Sequence, residues 1–133
     1  MLSPKMQRTI RVNENQLIML SERAQNDNSQ SGYLHKRSAD SSKWQLRWFV
    51  LYQNLMFYYD SEQCHRPSGV LLLEGCYCER LITTGHTSKM KDGSDKQFCF
   101  AITYRRENQR QYELRALSEA ECKNWIEAIR DAR

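Results

Sequence analysis

The sequence predicts a mainly β fold. Seven short antiparallel strands form a barrel or sandwich, capped by one C-terminal α-helix and preceded by a short N-terminal helical extension. Three observations predict it. Every aromatic residue falls between Tyr33 and Trp125. Within those limits, β-branched and aromatic runs alternate with turn-forming residues. From Ser118 onward the apolar period changes from that of strands to that of a helix.

Residues 1–30 are rich in Asn, Gln, Ser and charge, and read as an extension outside the main core. Asn13 followed by Gln16 caps a candidate helix with Leu17, Leu20 and Ala24 on one face. The other reading of the same stretch is a frayed lead-in. Ser29-Gln30-Ser31-Gly32 marks the boundary, and residues 31–133 form the domain proper. Gly32 to Arg37 is a first strand, ended by the polar loop Ser38–Ser42. Trp44 to Tyr52 is a second, and Gln53-Asn54 turns it into a third, Leu55 to Tyr59. Arg66-Pro67-Ser68-Gly69 breaks the chain before a fourth strand, Val70 to Leu73. Gly75 is a bulge or turn before a fifth, Cys76 to Ile82. After the polar stretch Thr83–Lys96 come a sixth strand, Phe98 to Ile102, and a seventh, Gln111 to Arg115. Ser118 with Glu121 makes a capping box, and Cys122, Trp125, Ile126 and Ile129 then follow the spacing of one helix face. A small open barrel has an uncovered end, which such a helix plugs with Trp125.

The 133 residues carry 20 basic and 16 acidic groups, a formal net charge of +4. Length points to one domain, and 40% apolar composition is too much for a disordered chain. The longest apolar runs, Leu17–Leu20 and Val70–Leu73, fall far short of a membrane span, which argues against an integral membrane protein. Five cysteines, an odd number without scaffold spacing, fit a reducing cytosolic compartment. Cys76-x-Cys78 and Cys64-His65 lack the spacing of a metal site. The chain holds no nucleophile elbow, phosphate-cradling glycine loop or zinc-protease helix, and His35, His65 and His86 are scattered in polar contexts. An enzyme is therefore not expected, nor a cofactor, a metal or a nucleic-acid partner.

The positive charge is placed rather than spread. Lys36, Arg37, Lys43 and Arg47 face a single acid, Asp40, between Lys36 and Tyr59. Residues near the open end of an antiparallel hairpin converge on one rim. Arg47 shares strand parity with Phe49 and Leu51, so it rises from the face that supplies the core. A charge is tolerable on that face only at the mouth, where it meets solvent or an anion. Arginine offers a bidentate fork to phosphate, and lysines act as point charges. Trp44 is either a tip that touches a membrane or a ring folded over the strand pair, and packing is the preferred reading. The charged tip Arg105–Arg110 is either a soluble turn or a second contact for lipid or protein.

Five separated features carry a resemblance. They are Gly32-Tyr33-Leu34-x-Lys36-Arg37, Lys43-Trp44-x-x-Arg47-Trp48-Phe49-Val50-Leu51, Leu55-Met56-Phe57-Tyr58-Tyr59, Gly69, and Trp125 in the closing helix. In this order they resemble a pleckstrin-homology (PH) domain over residues 31–133. Gln53-Asn54-Leu55-x-Phe57-Tyr58, Arg66-Pro67-Ser68-Gly69-x-x-Leu72-Leu73-Glu74-Gly75-Cys76 and the continuation Cys78-Glu79-Arg80 are similar to the amino-terminal PH domain of Ras-GRF type guanine-nucleotide exchange factors. The family's phosphoinositide signature carries over to Lys36 and Arg47, with Tyr58 completing the pocket. Gln45 and Ser68 stand where strong binders place basic residues, with Arg66 two positions from Ser68.

The resemblance implies a non-catalytic module that recruits a Ras/Rho-family exchange factor to anionic, phosphoinositide-bearing membranes. Its headgroup site would comprise Lys36, Arg37, Lys43, Arg47, Tyr58 and Arg66. Exchange activity would lie outside this chain. The expected setting is cytoplasmic and peripherally membrane-associated, and the expected state is a monomer. The alternative is a PH-fold protein–protein scaffold with little lipid binding, docking through residues 1–30 or through the Arg105–Arg110 turn.

Overall fold

The computed structural model describes residues 14–38, 43–81, 98–105 and 111–133. Helix α1 (Glu14–Asn26) leads into β1 (Gln30–Arg37), β2 (Trp44–Tyr52), β3 (Leu55–Tyr59), β4 (Gly69–Leu72), β5 (Cys76–Arg80), β6 (Cys99–Tyr104) and β7 (Tyr112–Arg115). Helix α2 (Glu119–Ala132) follows. The strands form one antiparallel sheet in the order β4-β3-β2-β1-β7-β6-β5. Strand β1 starts two residues earlier than the sequence predicts, because Gln30 and Ser31 complete the register with Leu51 and Val50. Strand β6 likewise runs on to Tyr104, paired with Cys76. Asn13, the Thr83–Lys96 stretch and the 106–110 tip lie outside the described residues.

Two turns explain how the sheet keeps its register. Gln53, at φ 54°, makes the tight β2–β3 turn, and Gly75, at φ 75°, sits in the left-handed region that a side chain disfavours. One apolar cluster then draws Leu34 from β1, Phe49 and Leu51 from β2, Met56 from β3, Leu71 from β4, Cys78 from β5, Phe100 and Ile102 from β6, and Leu114 from β7. A flat sheet could not bring seven strands to one core, so the sheet wraps on itself. The Tyr104 hydroxyl donates to the Leu72 carbonyl at 2.5 Å, tying β6 to the end of β4.

Helix α2 closes one end of this shell. The Ser118 hydroxyl accepts from the Glu121 amide at 3.1 Å, which satisfies one of the free donors at the helix start. Cys122, Trp125, Ile126 and Ile129 are buried in the same cluster, and the Trp125 indole lies against Gly32. Polar contacts fix the helix to the terminal strand of the sheet. Arg130 donates to the Cys78 carbonyl at 2.8 Å, Arg133 to the Cys76 carbonyl at 3.0 Å, and Arg80 grips Glu119 through both carboxylate oxygens.

The opposite face of β2 and β3 is also covered. Val50, Tyr52, Phe57 and Tyr59 form a second apolar cluster with Ala24 of α1, and Leu17 and Leu20 pack against it. Gln25 reaches the Cys64 carbonyl at 3.3 Å, holding the helix to the β3–β4 connection. Burial pushes the Tyr59 phenol above its ordinary pKa, partly offset by the Ser21 and Gln25 side chains of α1. The packed-helix reading of this stretch therefore describes it, and the frayed one does not.

Two outcomes follow from these layers. Ala24→Phe overfills a site that is 0% exposed and lowers unfolding free energy by about 1–3 kcal/mol in urea titrations. Met19→Ala, at a position 59% exposed on the same helix, changes it by less than about 0.5 kcal/mol. Equal effects would mean that α1 does not dock. The second outcome concerns Cys78, whose thiol burial pushes up from 9.0 to about 12. Below the unfolded value both states hold the proton, and stability does not depend on this group. Above it the unfolded chain sheds the proton and the folded domain does not, so stability falls as pH rises toward the folded value. Urea midpoints should decline over pH ~9 to ~11, and less steeply in Cys78→Ala.

Candidate functional site

The site begins with register. Leu34 pairs Arg47 and Lys36 pairs Gln45 across β1–β2, and Lys36 also pairs Leu114 of β7. Directly opposed residues share a face, and Leu34, Phe49 and Leu114 point into the core. Lys36 and Arg47 therefore rise from the interior face toward the end of the shell opposite the β2–β3 turn. Tyr58 joins them because it pairs Phe49, and Gly69 lies beside it on β4.

Lys36 is only 7% exposed. Its ammonium stands 5.3 Å from the centroid of the Tyr58 ring and 5.9 Å from that of Tyr112. Two ring faces lend the cation electrostatic stabilisation of about 0.5–2 kcal/mol each, which offsets part of its lost hydration. Tyr112 is absent from the residues singled out in the sequence. Its alternation with Leu114 places it on the inward face, but only the β1–β7 pairing brings it to Lys36.

Arg47 sits at the rim, its side chain 26% exposed. Its Nη1 donates to the Leu46 carbonyl at 2.9 Å, and its Nε lies 3.6 Å from Asp60 Oδ1. That oxygen also accepts from the Ser68 hydroxyl at 2.9 Å, while the Ser68 amide donates to the Tyr58 carbonyl at 2.7 Å. Among the described residues, the mouth thus combines two cations, two tyrosines and one carboxylate. Asp60 too was missed in the sequence, because it follows β3 and reads there as an ordinary turn acid.

The remaining nominated residues lie elsewhere. Arg37 has the opposite parity and is bonded to Glu113 at 2.7 Å on the outer face. There the Trp44 ring lies between two guanidiniums, with Arg37 at 5.9 Å and Arg115 at 4.8 Å from its centroid. Trp44 is accordingly folded over the strands, as preferred from the sequence. Arg66 pairs Glu14 of α1 at 3.1 Å, between two exposed side chains. Lys43 is exposed at the foot of the β1–β2 loop, where the Ser38 amide donates to the Lys43 carbonyl and the Lys43 amide donates to the Ser38 hydroxyl. Arg105, the described part of the charged tip, donates to the Tyr77 hydroxyl.

Cations at a half-buried rim beside tyrosine hydroxyls suit a phosphorylated or otherwise anionic group. Among the described residues no cluster of His, Cys, Asp and Glu is arranged to hold a metal, and no helix is long and apolar enough to cross a membrane. An open cleft of about 710 Å³, lined by Ser29, Gln53, Asn54, Ala128, Asp131 and Ala132, lies at the β2–β3 turn, away from this mouth.

Gly69 sets the position of one wall. A Cβ there would collide with the Tyr58 hydroxyl end, whereas at Gly32 it would meet Trp125 at an ordinary 3.7 Å. Gly69→Ala should swing the Tyr58 ring off Lys36 and move the Lys36 side-chain protons downfield in NMR spectra, as ring-current shielding is lost. Gly32→Ala should leave them in place. Unchanged Lys36 shifts in Gly69→Ala would show that the ring does not depend on this space.

Comparison with known proteins agrees with this architecture. The PH-domain family model matches residues 28–133. Ras-specific guanine nucleotide-releasing factor 2 of Danio rerio is 41% identical over 127 residues, covering 96% of this chain and 10% of the relative. Ras-specific guanine nucleotide-releasing factor 1 of Homo sapiens is 42% identical over 127 residues, with the same coverage. The chain thus spans about a tenth of the length of these relatives. Among solved structures, the C-terminal PH domain of pleckstrin in complex with D-myo-Ins(1,2,3,4,5)P5 superposes with a TM-score of 0.63 at 24% identity, over 80% of this chain and 98% of that one. The chain belongs to the PH-domain family, a non-catalytic module.

Proposed function

We propose that this PH domain holds a larger signalling protein, of the Ras-specific exchange-factor type, at anionic membranes that carry phosphoinositides. The observation behind the reading is that Lys36 and Arg47 share one interior face and one rim, framed by Tyr58 and Tyr112. Lys43 is exposed on the loop that joins β1 to β2. Headgroup phosphates approach this mouth while the exposed cations add attraction to the leaflet, each worth on the order of 1 kcal/mol. Nucleotide exchange, the activity in the relatives' names, is assigned to parts of the protein beyond this chain. The protein is then cytoplasmic and peripherally attached.

The scaffold reading draws on a different observation. Arg37, Trp44 and Arg115 make a cation–aromatic array on the outer face, separate from the mouth. Helix α1 serves that reading less well, since Leu17, Leu20 and Ala24 already pack on the sheet.

Sedimentation with phosphatidylcholine vesicles, with and without a phosphatidylinositol bisphosphate, separates the two. Arg47→Gln or Lys36→Gln should weaken pelleting with the phosphoinositide vesicles by about fivefold each. Arg66→Gln, remote from Lys36 and already paired to Glu14, should weaken it by less than about twofold. Raising salt toward 1 M, where the Debye length drops to about 3 Å, should release the wild type. Equal pelleting of folded wild type and Arg47→Gln would overturn recruitment through this mouth.

A further inference from the structure

Asp60 is the carboxylate that an ion pair places at the mouth, and its surroundings are specific. Its Oδ1 accepts from the Ser68 hydroxyl at 2.9 Å, and Ser68 is itself pinned by its amide to the Tyr58 carbonyl at 2.7 Å. The strand connection that builds the Tyr58 wall therefore also aims the carboxylate at Arg47, 3.6 Å from Nε. The other described ion pairs involving nominated cations, Arg37–Glu113 and Arg66–Glu14, lie on the outer face and against α1.

A phosphate takes an arginine bidentately through two neighbouring N–H groups on one edge of the guanidinium. In Arg47 the Nε edge faces Asp60, and the Nη1 edge donates to the Leu46 carbonyl at 2.9 Å. Asp60 thus stands at ion-pair distance beside the Nε edge, so a phosphate that takes the fork on that edge competes with the carboxylate for the guanidinium. Asp60 is 71% exposed, so its hold on Arg47 is weak enough to be displaced.

Building on the membrane reading above, we propose that Asp60 is an internal competitor for the headgroup. Its carboxylate occupies Arg47 until a membrane of high phosphate density displaces it, and so sets the threshold at which this domain binds. Asp60 is thus a specificity-determining residue that selects charge density over a lone anion. Ser68 is its positioning residue.

The test uses the full chain and two vesicle types of matched net charge, one carrying a phosphatidylinositol bisphosphate and the other phosphatidylserine. Asp60→Asn keeps the acceptor for Ser68 and removes the charge. It should tighten binding to the phosphoinositide vesicles by about fivefold, and the gain should vanish in an Arg47→Gln background. Glu62→Gln, which deletes an exposed acid two residues away, should give less than about a twofold gain. Equal gains from Asp60→Asn and Glu62→Gln would overturn local competition, as would a gain that persists without Arg47. Neither result touches recruitment itself. A wild type that pellets with neither vesicle would overturn recruitment. Asp60→Asn that bound in that case would still support the competitor, and one that failed too would overturn both.

Discussion

An ammonium group inside a β shell loses most of its hydration, and the rest of the structure at the mouth is arranged around the one that does. Lys36 lies on the strand face that also supplies Leu34, yet it stands where the core ends. Two tyrosine faces, from β3 and β7, replace part of the water it has lost. Tyr58 can lean over it because β4 begins with Gly69, whose missing side chain leaves room for the phenol. Strand pairing, glycine placement and aromatic choice are thus linked by a single buried charge. Trp125 and α2 fill another part of the same core, where the described side chains are apolar.

Much of the fold was readable in the residues. Period-two runs located all seven strands, and the boundaries of β2 and β3 fell where turn chemistry placed them. The capping box at Ser118 and the spacing of Cys122, Trp125, Ile126 and Ile129 specified α2 and its buried face. Parity also placed Arg47 correctly on the core side. The extra residues of β1 escaped notice because Gln30 and Ser31 have polar side chains. Their inclusion rests on backbone pairing with Leu51 and Val50, which polarity does not report.

The site was less legible, for a physical reason. Local alternation tells which face a residue takes, but not which distant strand lies beside it. Lys36 meets Tyr112 only because β1 pairs β7, a contact between residues far apart in sequence. Arg66 looked like a rim cation by its nearness to Ser68, but the chain geometry turns it toward Glu14 of α1. Arg37, adjacent to Lys36, is sent to the other face by the pleat itself. A stronger signal was present for α1. Phe49 to Tyr52 is apolar without alternation, and such a strand is covered on both faces. Something had to pack on the outside of β2, and Ala24 with Leu17 and Leu20 does so.

The division of charge between the two faces of the first hairpin bears on how the domain discriminates. On the outer face, Arg37 pairs Glu113 and shares the Trp44 ring with Arg115. On the inner face, the Tyr58 and Tyr112 rings stabilise the Lys36 ammonium. Arg47 leans on Asp60, which does cancel charge but sits in water, where the pairing is weak. Arg37 and Arg115 with Glu113 outside, and Lys36 and Arg47 with Asp60 inside, thus each combine two cations with one carboxylate, and at the mouth that carboxylate is the more exposed. With neutral Gln45 opposite Lys36, the described residues form no dense ring of donors at the mouth. On the proposed membrane reading, a rim of this composition would respond to the anionic density of a surface more than to the stereochemistry of one ring, and attachment through it would be reversible and sensitive to ionic strength.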